Sequence, residues 1–225
     1  MAESGFGGAA GNRKGMNCRT NVYFATQVGY SSALSALAGF QQLSMALKAT
    51  IFKADLQISD MDRHYYQSHP LTIARHPSET DERMMIRVLA FARHADPALS
   101  FGKGLSDVDE PDLWRKDLTG AIDLWIEVGQ PDDKRILKAC GRAAHVIVYS
   151  YSSTSDIWWK QTGSRVERAR NLTVINIDAD TSQALAALAQ RNMQLQCSIQ
   201  DGQIWLGAND DTVQIDPQVI KAEQR

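Results

Sequence analysis

The sequence predicts an α+β domain, and three patterns carry that reading. Thr50, Phe52, Ala54, Leu56 and Ile58 alternate with Ile51, Lys53, Asp55 and Gln57, the period of a half-exposed strand. Ile122, Leu124, Ile126 and Val128 alternate in the same way with Asp123, Trp125 and Glu127. Between them, Met85, Val88, Leu89 and Ala92 recur at helical spacing and form one apolar stripe.

The chain has 225 residues, enough for one domain with a sizeable core. Lysine and arginine number 24 and aspartate and glutamate 26, a net charge of −2 that excludes a strongly basic nucleic-acid coat. The three cysteines, Cys18, Cys140 and Cys197, lie too far apart for a metal-binding pair and fit reduced thiols in a cytoplasmic protein. No run is apolar for the length of a membrane span. Residues 1–44 are rich in small and polar types and are expected to be a disordered tail or an upstream extension. A single domain is expected over 45–225.

Taken in order, the first strand is followed by the turn cluster Ser59 to Asp62, and His64 to Arg75 reads as the returning strand of a long hairpin. His64 and His69 are five apart, so they point to opposite faces and read as surface residues. Ser78 with Asp81 resembles a capping box that opens a helix. Glu79 and Asp81 then act as helix-start charges, while Glu82, at the edge of the apolar stripe, is the acid expected to look inward. His94 is expected to be a favourable charge at the helix end. Phe101 to Gly104 reads as a short strand.

The central hairpin carries the chemistry. With a two-residue turn at Thr119-Gly120, Asp112 faces Glu127; a four-residue loop moves Asp112 opposite Trp125 but keeps it on the same face, and a three-residue loop breaks the pairing. Two carboxylates side by side repel each other and call for a compensating charge, either a cation such as Mg2+ or a lysine. Beyond Gly129, Pro131 opens a helix with Asp132 and Asp133 in its first turn. Gln130, Lys134 and Lys138 lie four apart along one side of it, towards Glu127, and Ile136, Leu137 and Cys140 form its buried stripe. Gly141 suits its C-cap.

The rest completes the fold. His145 to Tyr151 and Leu172 to Ile177 are short apolar strands, with His145 a structural histidine. Ser155 to Arg170 carries Trp158 and Trp159 with Lys160, Arg165, Arg168 and Arg170, a basic stretch able to meet a phosphate backbone. Asp180 caps a helix with Leu185, Leu188 and Ala189 inward. Met193, Leu195, Cys197 and Ile199 alternate up to the hairpin turn Asp201-Gly202, and residues 213–215 add a third strand.

Several long stretches resemble the YaeQ family, of the PD-(D/E)XK nuclease-like superfamily. They are Met45 to Leu56, His76 to Met85, Asp109 to Trp114, Gly129 to Arg135 with Lys138 to Arg142, and Met193 to Gly202. The resemblance covers 45–220 and leaves 1–44 outside. It implies a restriction-endonuclease-like core, α/β/α-like, with a mixed central sheet flanked by helices; the N-terminal β-hairpin and the C-terminal β-hairpin or meander read above are additions to it. The core order is helix, three antiparallel strands, helix and strand.

By that resemblance Asp112 and Glu127 are the metal-binding acids, with Glu82, or else Glu79, as an accessory acid. The implied activity is phosphodiester hydrolysis of DNA or RNA with Mg2+ or Mn2+. The third motif position, a lysine in the superfamily, is Gly129 here. Lys134 or Lys138 would then substitute for it, with Gln130 as a neutral partner. The alternative is an inactive member of the fold that binds nucleic acid or a protein partner. Trp114 and Trp125 share the acidic face and either pack or stack on a base.

Overall fold

A computed structural model describes residues 49–107 and 109–224, so the expectations for residues 1–44 lie outside the described residues. The first half contains β1 (Thr50–Asp60), β2 (Tyr65–Arg75), α1 (Asp81–Arg93), β3 (Leu99–Phe101), β4 (Leu113–Lys116), β5 (Ile122–Val128) and α2 (Asp133–Cys140). The second half contains β6 (Ala143–Tyr151), α3 (Ser155–Val166), β7 (Leu172–Ile177), α4 (Ala179–Ala187), β8 (Asn192–Gln200), β9 (Gln203–Ala208), β10 (Asp211–Ile215) and β11 (Gln218–Lys221).

The alternating runs fold as two sheets. One has five strands in the order β10-β9-β8-β1-β2, and the other has six in the order β11-β7-β6-β5-β4-β3. The two hairpins expected at the ends of the chain are therefore one sheet, joined by parallel pairing of β1 with β8, Leu56 opposite Leu195. Both sheets mix parallel and antiparallel pairs. In the second, β3, β4 and β5 run antiparallel, and β6 then lies parallel to β5.

Helix α1 is packed into the core that the two sheets share. Every residue from Met84 to Ala92 is buried, rather than one stripe. Leu124, Ile126 and Val128 of β5 face this core together with Phe52, Leu56 and Ile58 of β1. A second cluster forms on the other face of the six-stranded sheet, where Trp125, Val146, Val148 and Val174 meet Ile136 of α2 and Trp158 of α3. The strands β5, β6 and β7 are thus covered on both faces, which explains their nearly continuous apolar sequence.

Local structure differs from the sequence reading at two caps, one helix face and one short strand. Thr80, not Ser78, caps α1, accepting a hydrogen bond from the Arg83 N–H, and Ser78 bonds to His76 instead. Asp178, not Asp180, caps α4. Leu137 is 44% exposed, and Ala139 takes its expected place beside Ile136. The stretch after Gly102 is a single 3-10 turn, Gly104–Ser106, in place of a strand.

His94 is also corrected. Its Nε2 hydrogen-bonds the Tyr149 hydroxyl at 2.8 Å. Burial, together with the nearby positive charge of Arg93, Arg63 and Arg115, pushes the imidazole down to about 3. It is therefore a neutral packing residue at pH 7 and not a terminal charge. Among the described residues no helix is long and apolar enough to cross a membrane.

Candidate functional site

The hairpin that holds the acids closes by a route the sequence did not suggest. The Asp117 N–H donates to Ala121 O and the Gly120 N–H to Asp117 O, so three residues form the loop. Gly120, at φ +86°, supplies the left-handed residue this loop requires. Three residues alone would misalign the acids. A bulge then skips Asp123, because Lys116 pairs with Ile122 while Arg115 pairs with Leu124. The register downstream is Leu113 opposite Ile126, the one that sets Asp112 beside Glu127.

Asp112 has no exposed surface, and both of its carboxylate oxygens accept hydrogen bonds. Arg83 Nη2 donates to both of its oxygens at 2.8 Å, and the Val128 N–H donates to Oδ2 at 2.8 Å. Arg87 approaches to 3.7 Å. Both arginines come from α1 and also hold Glu79, which is 5% exposed: Arg83 Nη1 at 2.8 Å and Arg87 Nη1 at 3.0 Å. Burial works against the Arg83 charge, but Asp112 and Glu79 more than offset it and hold its pKa above the ordinary value. Gly104, at φ +52°, passes so close that a β-carbon there would stand 2.8 Å from Asp112 Oδ1.

Glu127 is 2% exposed and is held from the other side. Trp125 Nε1 donates to Oε1 at 2.8 Å, and Arg135 Nη2 of α2 donates to Oε2 at 2.9 Å. Burial raises the Glu127 pKa, and the Asp112 charge adds to that, while the Arg135 hydrogen bond works in the opposite direction. The net result is a carboxyl above its usual range.

Three carboxylates (Glu79, Asp112, Glu127) thus meet three guanidinium groups (Arg83, Arg87, Arg135). The compensating charge that the acid pair calls for is supplied by arginine. Above the cluster lies a cleft of about 420 Å3, lined by Arg83, Leu105, Glu127, Gly129, Arg135 and Tyr151 among others. Burial raises the Tyr151 hydroxyl pKa, so it remains a neutral donor or acceptor in the cleft.

The residues singled out from the sequence are distributed unequally around this cleft. Asp112 and Glu127 come together as expected. Glu82 turns to α4, where it accepts a hydrogen bond from the Ser182 hydroxyl at 2.5 Å, and Glu79 takes the inward position instead. Gln130 lines the cleft, but its amide is tied to Tyr151 O, Ser152 Oγ and Thr154 Oγ1. Lys134 is exposed on α2, and the Lys138 amine pairs with Asp109. The helix side chain that reaches Glu127 is Arg135, one residue beyond Lys134. Trp114 and Trp125 pack edge to face at 6.3 Å between centroids.

The spacing had one unused signal. Glu79, Arg83 and Arg87 recur every four residues, which on a helix stacks one acid and two bases along a single face. Gly129 has φ +112°, a conformation that L side chains rarely adopt, so this position, where the resemblance expects a lysine, is built for glycine.

A divalent cation does not fit this arrangement. The oxygens of Asp112 and Glu127 face guanidinium, indole and amide donors, and a cation there would stand against two positive side chains in a cluster with no net negative charge. Among the described residues no three His, Cys, Asp or Glu side chains converge as a metal site.

The described residues define a mixed α+β protein, with two mixed sheets, four helices and an acid–arginine cluster under an open cavity. The model of the family described as YaeQ protein matches residues 45–217, and the chain belongs to the YaeQ family. It is 46% identical over 172 residues to the YaeQ protein of Escherichia coli (strain K12), covering 76% of this chain and 95% of that one. The Salmonella typhi protein is 48% identical over 163 residues, 72% of this chain and 90% of that one.

Two crystal structures of YaeQ proteins share the fold. The protein from Xanthomonas axonopodis pv. citri aligns with a TM-score of 0.74 at 51% identity, over 77% of this chain and 99% of that one. The protein from Pseudomonas syringae aligns at 0.75 with 35% identity, over 78% and 97%. The two bacterial relatives carry the description "uncharacterized protein YaeQ", so family membership by itself assigns no chemistry.

Proposed function

We propose that the chain is a non-hydrolytic member of the PD-(D/E)XK nuclease-like superfamily, a module that binds nucleic acid at the Arg135 cleft. The order α1, β3, β4, β5, α2, β6, with three antiparallel strands followed by a parallel one, supports the restriction-endonuclease-like core. One observation carries the functional reading: both carboxylates are engaged by arginine, indole and backbone donors where a nuclease would hold a cation. The lysine position is a glycine at positive φ, and neither helix lysine reaches the acids. What remains for a ligand is the cavity itself, with Arg135 and Tyr151 in its wall.

The test is direct. Calorimetry with Mg2+ and Mn2+ should show no binding, and single- and double-stranded DNA and RNA should stay intact in the presence of either ion. Fluorescence anisotropy with the same oligonucleotides should show salt-sensitive binding that Arg135→Ala weakens several-fold. Metal binding lost in both Asp112→Ala and Glu127→Ala would restore the metal-dependent phosphodiesterase as the function. Absence of oligonucleotide binding would leave a protein partner as the ligand class.

A further inference from the structure

A second cavity lies far from this chemistry in character. The five-stranded sheet buries Met193, Leu195, Cys197 and Ile199 of β8 and Ile204, Leu206 and Ala208 of β9 on its inner face. Strand alternation therefore puts Gln194, Gln196 and Ser198, together with Trp205 and Gly207, on the outer face. Pairing lines them up. Ser198 is opposite Trp205, Gln196 opposite Gly207, and Thr212 of β10 sits on the far side of Gly207.

Gly207 is the gap that turns this face into a groove. It interrupts a row of side chains, and a β-carbon there would stand 3.0 Å from Thr212 Oγ1 and 3.2 Å from Asp211 O. Glycine inside a strand loses the packing and entropy that favour other residues, and it marks places where something must approach the backbone. The resulting groove, about 230 Å3, is lined by Gln194, Gln196, Ser198, Trp205, Gly207, Asn209 and Thr212. Among the described residues no charged side chain lines it.

Its polar groups are also unpaired. Among the described residues the side chains of Gln196, Ser198, Asn209 and Thr212 make no hydrogen bond, and Trp205 has no ring or cation against it. Gln194 uses only its amide N–H, which holds Asp55 at 2.8 Å and leaves its oxygen unpaired. The groove therefore offers a flat aromatic face, bidentate amides and hydroxyls. It lacks the cations that an anion would need and the apolar walls that a hydrophobic segment would need.

We propose that this groove binds a neutral carbohydrate, with one sugar ring of an oligosaccharide lying on Trp205. A sugar presents C–H groups on one face, which suit the indole, and hydroxyls around its rim, which match amides able to donate and accept at once. The volume, below the ~300 Å3 lower bound of drug-sized pockets, suits a single ring rather than a larger ligand. The proposal is independent of the cleft beneath Arg135.

The experiment titrates the full chain with maltotetraose, cellotetraose and chitotetraose, read by calorimetry and by saturation-transfer NMR. One of the three should bind saturably, with saturation transfer concentrated on the protons of one ring. Trp205→Ala should weaken that binding by roughly tenfold or more, the scale of a lost aromatic contact. Gln196→Ala, an exposed change that leaves the sheet intact, should weaken it as well. Failure of all three sugars to bind overturns the proposal, as does binding that both variants leave unchanged. Binding of a single-stranded oligonucleotide that Trp205→Ala abolishes, with no sugar bound, also overturns it and makes the groove a base-stacking surface.

Discussion

The cleft beneath Arg135 and the groove beside Trp205 handle polarity in opposite ways. In the cleft, each acid is buried and meets a guanidinium: Asp112 with Arg83, Glu127 with Arg135, Glu79 with Arg83 and Arg87. Among the described residues the groove has no charged lining, and several of its amides and hydroxyls have no partner. The difference follows from the cost of leaving a group unpaired. A buried charge without a partner costs several kcal/mol, so folding must neutralise it. An amide at a wet surface is satisfied by water, so it can stay unpaired until a ligand replaces that water. Charge density alone is therefore a poor guide to a binding site.

The largest effect expected from breaking this contrast is at Asp112. Asp112→Ala leaves Arg83 and Arg87 facing the core with less compensating charge and removes the acceptor of the Val128 N–H. It should cost about 3–5 kcal/mol in denaturant unfolding, as for other buried pairs that lose one member. A loss under 1 kcal/mol would show that the arginines relax to solvent and that the cluster is not structural.

On the proposed nuclease-like reading, Gly129→Lys supplies the lysine expected at that position. Forcing a side chain to φ +112° should destabilise the chain by about 1–3 kcal/mol, and no nuclease activity should appear. A stable, active variant would show that the glycine alone keeps the site silent, and would return Asp112 and Glu127 to a metal-binding role.

The smallest effect is a pH dependence. Burial raises the folded pKa of Glu127 above its ordinary value of 4.5, so the folded state favours the protonated acid. The stability this gives is fully present below that value and is lost as pH rises through the raised folded pKa. Relative to Glu127→Gln, the melting temperature of the parent chain should therefore fall across that window. The difference between parent and Gln196→Ala should stay flat, because the groove holds no titrating group. A flat Glu127 difference would show that Arg135 fully offsets the burial.

Much of the fold was legible in the sequence because its signals are local. The alternations of Thr50–Ile58 and Met193–Ile199 gave their strands and inward faces, and the Asp201-Gly202 turn closed the hairpin as expected. The pairing of β1 with β8 was not legible, since two equally good strands carry no mark of which distant strand they join. The three-residue loop was not legible either. Its misalignment is corrected by the bulge at Asp123, and neither feature alone predicts the register.

At the site, the sequence singled out Asp112 and Glu127 as neighbours in two of three hairpin registers, and showed that such a pair needs a positive partner. Alternation supports the first, the bulge at Asp123 completes it, and like-charge repulsion requires the second. The identity of that partner depends on how the helices pack. Lys134 and Lys138 had suitable spacing on their own helix, but the rotation of α2 against the sheet turns Arg135 to Glu127, and the burial of α1 turns Arg83 to Asp112. Spacing along a chain places side chains on a face; the packing of two elements decides what that face meets.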